Sequence, residues 1–150
     1  MKGFTFYKQL DSMDCGPTCL RMVSKHYGKS YSLPFLREKC YIDRAGVSLK
    51  GISEAAELIG FRTLAVNIPL TGKKDAPSLS TAPLPVILHW NQNHFVALYK
   101  LSEKYAWIAD PADGKHKVPI SLLQKAWFSS GEQGIALLLE TTPEFYQVWR

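Results

Sequence analysis

Asp14-Cys15-Gly16-Pro17 puts a cysteine where a loop turns into a helix, a position suited to a nucleophile. A helix N-terminus carries partial positive charge and unpaired N–H groups, and both favour a thiolate over a thiol. With an imidazolium alongside, such a thiol falls from about 8.5 to roughly 3.5–7.5. Asp14 opposes this through its charge, although its side chain is placed to cap the same helix. Most free cysteines are small buried hydrophobes, so Cys15 reads as catalytic only if a base can be found for it.

Hairpin geometry nominates the base and its partner. With Ser102 to Lys104 as a three-residue turn, Leu101 opposes Tyr105 and His94 opposes Ala112. Asp110 then lies on the face of His94 as a diagonal neighbour, about 7–8 Å away between backbones. A turn one residue longer or shorter would reverse the parity and separate them. A carboxylate on one ring nitrogen fixes the tautomer, stabilises the imidazolium and leaves the other nitrogen for the thiol. Singly, His94 reads as an edge histidine and Asp110 as a turn residue before Pro111; together they point to chemistry. Acyl transfer also needs donors aimed at the developing oxyanion. The backbone N–H of Cys15 is one, and the side-chain amide of Gln9, a short loop upstream, is a candidate second.

The elements that must position these groups follow from periodicity. Apolar residues at three-to-four spacing predict a helix over 16–27, with Pro17 in its first turn and Gly28 beyond its end. Further helices are predicted after Ser32, to about Cys40, and after Ser48, with Gly60 as the stop. Beyond Gly60 the pattern becomes extended: strands are predicted over 62–68, 85–90, 95–101, 105–109 and 135–140, with a turn at 111–114 and one short helix over 121–128. Helices gather in the first half and strands in the second. That segregation predicts an α+β domain, helices packed on an antiparallel sheet. The whole chain, 1–150, reads as one domain, with 143–150 as the start of a connection to a further portion.

Composition narrows the class. Hydrophobic residues make up 46% and charged residues 21%, which is globular. No apolar run is long enough to span a bilayer, and residues 1–10 lack the apolar centre of a signal peptide. The net charge of +5 is scattered along the chain, with Lys73-Lys74 its longest run, which argues against nucleic acid as a partner. Three cysteines, Cys15, Cys19 and Cys40, cannot all pair with one another, and no second pair completes a zinc site. Cys19 and Cys40 therefore read as core, and no metal is expected.

Gln9-Leu-Asp-Ser-Met-Asp-Cys-Gly-Pro-Thr-Cys-Leu, followed by His94-Phe-Val and Asp110-Pro-Ala, resembles the C39 peptidase family, the N-terminal peptidase domains of bacteriocin-processing ABC transporters. The resemblance implies a papain-like fold with Cys15 as nucleophile, His94 as base, Asp110 as its orienter and Gln9 as oxyanion donor, and no cofactor. It further implies cleavage of a leader peptide after a Gly-Gly pair, coupled to export by transmembrane and ATPase portions, on the cytoplasmic side of the bacterial inner membrane. A narrow cleft accounts for such specificity, since only a backbone without Cβ atoms would fit. Apolar leader residues would dock on a hydrophobic patch, for which Phe35, Tyr41, Phe61 and Trp90 are candidates. A non-catalytic leader-docking domain is the alternative, and a Cys-His-Asp acyltransferase would share the same residues.

Overall fold

The computed structural model describes residues 3–40 and 47–147. Helix α1 covers Cys15–His26, and Gly28 leaves it at φ 99, a conformation that costs glycine nothing. Ser32 and Ser48 cap α2 (Leu33–Lys39) and α3 (Leu49–Leu58): their hydroxyls accept from the N–H of Phe35 at 3.3 Å and of Gly51 at 3.0 Å.

Among the described residues, seven strands form one antiparallel sheet: β1 (Phe61–Pro69), β2 (Val86–Trp90), β3 (His94–Leu101), β4 (Tyr105–Asp110), β5 (Gly114–Pro119), β6 (Phe128–Ser130) and β7 (Gln133–Thr141). The order is β1-β7-β2-β3-β4-β5, with β6 paired to β7. The last strand lies inside the sheet because it is apolar on both faces: Ala136 and Leu137 are buried on opposite sides. One face packs Cys19, Met22, Val23 and Ile52 of α1 and α3 against Ile87, Ala97 and Leu137. The other packs Leu123 and Trp127 of α4 (Ile120–Trp127) against Leu88, Val96, Leu98 and Ile108.

The β3–β4 pairing departs from the predicted turn. Leu101 opposes Ala106, not Tyr105, and the Ser102 N–H donates to the Tyr105 carbonyl at 2.8 Å, so the turn is one residue shorter than expected. A β-bulge at Tyr99 then restores the parity, because Leu98 pairs with Ile108 and Ala97 with Ala109. Continued along the strand, this register brings His94 opposite Ala112, as the three-residue turn would have done. The bulge has a packing cause. Val96, Leu98 and Leu101 all face the α4 core. Unbroken alternation would send Leu101 to the other face and put Lys100 inside. On the α1 face, Tyr99 stacks on Phe4 with ring centroids 4.7 Å apart.

Sequence periodicity missed β5 and β6. Lysine-rich β5 is a sheet edge with little buried surface, so no apolar alternation marks it. The stretch 143–150, expected to open a connection, begins with regular structure. Pro143–Gln147 forms a short helix, α5, whose Phe145 is fully buried, 4.7 Å from the ring of Phe61. Gly60, at φ 106, admits this contact, since a Cβ there would meet the Phe145 backbone. Residues 148–150 lie outside the described residues. Phe145→Ala should cost about 3–5 kcal/mol, measured by urea unfolding. A change within about 0.5 kcal/mol, as for a surface site, would mean that Phe145 does not anchor α5 in the core.

Candidate active site

Cys15 is the first residue of α1 and is 5% exposed. Gly16 must follow it, because a Cβ at that position would meet Val47 and Ile52 where α3 crosses beneath. His94 opens β3 and Asp110 ends β4, so the bulge-restored register carries both to one end of the sheet. His94 Nε2 lies 2.6 Å from Asp110 Oδ1, which also accepts the Ala112 N–H at 2.9 Å. Cys15 lies close enough to the imidazole to favour its charged form, and with Nε2 on Asp110 the other ring nitrogen, Nδ1, is left for the thiol. Histidine and aspartate are therefore bonded to each other beside the cysteine.

Their electrostatics are mutual. The bond to Asp110, and after it the neighbouring Cys15, raise His94 to about 9 against the opposing effect of burial. Burial pushes Asp110 up, but the His94 bond, the Ala112 N–H and the charges of His94 and His116 together hold it below its ordinary value. The other two thiols differ. Cys19 is raised well above its ordinary value by burial and by the nearby Cys15 and Asp110 charges, and burial alone takes Cys40 to about 12. Both remain thiols at neutral pH, so neither competes as a nucleophile.

Gln9 reaches the same end of the fold, its backbone N–H donating to the Pro111 carbonyl at 2.9 Å. Its side-chain Nε2 donates to the Asp11 carbonyl at 2.8 Å, and its Oε1 is buried without a hydrogen-bond partner. The predicted cap is absent. Asp14 is fully buried at the N-cap position but makes no side-chain cap; Arg37 of α2 holds it instead, Nε to Oδ1 at 2.8 Å and Nη2 to Oδ2 at 2.6 Å. Arg37 was not legible in the sequence, since its partner is 23 residues away and no local pattern links them.

Of the aromatic patch candidates, Phe61 and Trp90 are core residues, 3% and 6% exposed. Phe35 is half-buried and stacks on Tyr31, and Tyr41 lies outside the described residues. His89 lines an open cleft of about 340 Å³ with Val47, Leu49, Asn93 and Phe95, next in sequence to His94.

A family model for the Peptidase C39 family matches residues 4–144. The chain belongs to this family. The lactococcin-G-processing and transport ATP-binding protein of Lactococcus lactis subsp. lactis is 35% identical over 132 residues, covering 79% of this chain and 17% of that protein. The colicin V secretion/processing ATP-binding protein of Escherichia coli is 32% identical over 137 residues, covering 91% of this chain and 18% of that protein. The chain thus spans less than a fifth of the length of either relative. Among solved structures, a double glycine motif protease from an AMS/PCAT transporter, in complex with the leader peptide, superposes with TM-score 0.80 at 30% identity, covering 92% of this chain and 91% of that one. The peptidase domain of Streptococcus ComA superposes with TM-score 0.78 at 28% identity, covering 93% and 100%. The papain-like α+β fold of this C39 peptidase domain is the one expected.

The His94–Asp110 bond has a consequence for pH. A histidine raised from 6.5 to about 9 contributes stability that is complete below about 6.5 and is lost as pH rises through about 9. Followed by NMR, the His94 ring should titrate near 9 in the wild type and at distinctly lower pH in Asp110→Asn. Equal midpoints in the two proteins would mean that the carboxylate does not hold the imidazolium.

Proposed function

We propose that this domain is a cysteine endopeptidase that removes the leader of a secreted peptide precursor after a Gly-Gly pair, as the peptidase portion of an ABC exporter. The observation carrying the proposal is the 2.6 Å His94–Asp110 bond, with the Cys15 thiol at the start of α1 near enough to act on the same imidazole. His94 takes the Cys15 proton, giving a thiolate–imidazolium pair that Asp110 stabilises. The thiolate attacks the scissile carbonyl of the terminal glycine, and the oxyanion is met by the backbone N–H of Cys15 and the side-chain amide of Gln9. His94 then protonates the departing amine. A thioester remains, and water, deprotonated by His94, hydrolyses it and frees the leader.

No cofactor is needed, because nucleophile, base and donors all belong to this chain. The similarity to a double glycine motif protease in complex with a leader peptide supports the choice of substrate. The similarity to processing and transport ATP-binding proteins supports transmembrane and ATPase portions as partners, and hence a place on the cytoplasmic side of the bacterial inner membrane. A domain that only docks leaders has no use for a charged imidazole held between a carboxylate and a thiol.

Cys15→Ala should abolish cleavage of a synthetic Gly-Gly leader precursor, followed by mass spectrometry, while Cys19→Ala and Cys40→Ala should retain it. Cleavage by the Cys15 variant would remove the nucleophile from this scheme. Replacing the terminal glycine of the leader with valine should block the cut for want of room for a branched Cβ. A valine substrate processed at a comparable rate would mean that the cleft does not select by size.

A further inference from the structure

The Asp14–Arg37 pair sits directly beside the proposed nucleophile. A buried carboxylate next in sequence to Cys15 is the wrong charge for a site that must hold a thiolate. A free Asp14 side chain at the N-cap would also accept the first-turn N–H groups of α1, the groups that favour an anion at Cys15. Neither happens, because the guanidinium of Arg37 grips both carboxylate oxygens in a bidentate pair and no side-chain cap forms.

The same carboxylate organises the loop leading to Cys15. Asp14 Oδ2 accepts the Asp11 N–H at 3.2 Å, and the Asp14 N–H donates to the Asp11 carbonyl at 3.1 Å. That carbonyl also accepts the side-chain amide of Gln9, and Asp11 Oδ1 accepts the Met13 N–H at 2.8 Å. The bonds run without a gap from Arg37 through Asp14 and Asp11 to Gln9.

We propose that Arg37 is a positioning residue for the reaction: by binding Asp14 it neutralises the anion beside Cys15, keeps that carboxylate off the start of α1, and fixes the loop that carries Gln9. The proposal rests on Cys15 being the nucleophile. It requires the charge of Arg37 for the thiolate and the bidentate geometry for the loop, and these two demands separate experimentally.

The test uses the whole chain with four variants: Arg37→Gln, Arg37→Lys, Asp14→Asn, and Asp14→Asn with Arg37→Gln. Iodoacetamide alkylation of Cys15 is followed against pH by mass spectrometry, alongside kcat for leader cleavage. In Arg37→Gln the acid limb of alkylation should move to higher pH, with about tenfold less thiolate on that limb for each pH unit of displacement. Arg37→Lys should keep the wild-type limb yet lose kcat, because a single ammonium cannot hold both oxygens. The double variant, with both charges removed, should return the limb to the wild-type position. Asp14→Asn, leaving Arg37 unopposed, should move it to lower pH, and this supplies the readout should Arg37→Gln not fold. Alkylation profiles superimposable on wild type in both Arg37→Gln and Asp14→Asn would overturn the proposal, since a purely architectural ion pair leaves ionisation untouched. Cleavage surviving in Cys15→Ala would instead remove the nucleophile on which the proposal rests, while the alkylation profiles would still report whether Arg37 acts on the thiol.

Discussion

The bulge at Tyr99 governs the β3–β4 register, and the meeting of His94 and Asp110 depends on that register. Side chains alternate across a strand, so a slip of one residue would send the imidazole and the carboxylate to opposite faces. The apolar side chains enforce the bulge: Leu98 and Leu101 belong in the α4 core, and Lys100 between them does not. A hydrophobic demand in the middle of the sheet is thereby converted into a polar contact of 2.6 Å at its end. The Phe4–Tyr99 stack adds the N-terminal segment to the same joint, and the backbone bond from Gln9 to Pro111 ties that segment to the residue after Asp110.

Position, more than burial, separates the three thiols. Cys19 and Cys40 are enclosed, and burial raises both. Cys15 has little more exposure, yet it stands at a helix start with an imidazole beside it. Low exposure suits a site in which charge must be held by fixed dipoles and not by water. It also makes uncompensated charge expensive nearby, which is why the burial of Asp14 calls for the paired guanidinium. The two ion pairs near Cys15 thus have opposite roles. His94–Asp110 raises the basicity of the imidazole, and Arg37–Asp14 cancels a charge.

Helices α1 to α4, most strands and the meeting of His94 with Asp110 were legible because each carries a local mark: a cap, a glycine stop, a period of apolar residues, or the parity of a hairpin. Strand β5 carries no such mark, as an edge strand needs no apolar face. Helix α5 was not foreseen because five residues are too few to display a period, although Phe145 is core. The turn length was misread, and the register at the site nevertheless came out as expected because the unforeseen bulge compensated. The break in alternation at Lys100-Leu101 was the visible trace of that bulge.

By itself the sequence determined that a thiol stands at the start of a helix and that an imidazole and a carboxylate share one face at the end of a hairpin. It also determined the α+β architecture, because periodicity and caps are local properties. Tertiary structure alone decided that Asp14 pairs with Arg37 instead of capping α1, that Phe61 and Trp90 are interior, and that His94 comes beside Cys15. These outcomes rest on residues far apart in the chain. Whether two distant side chains meet is set by how whole elements pack, and a buried charge takes whichever partner that packing brings within reach.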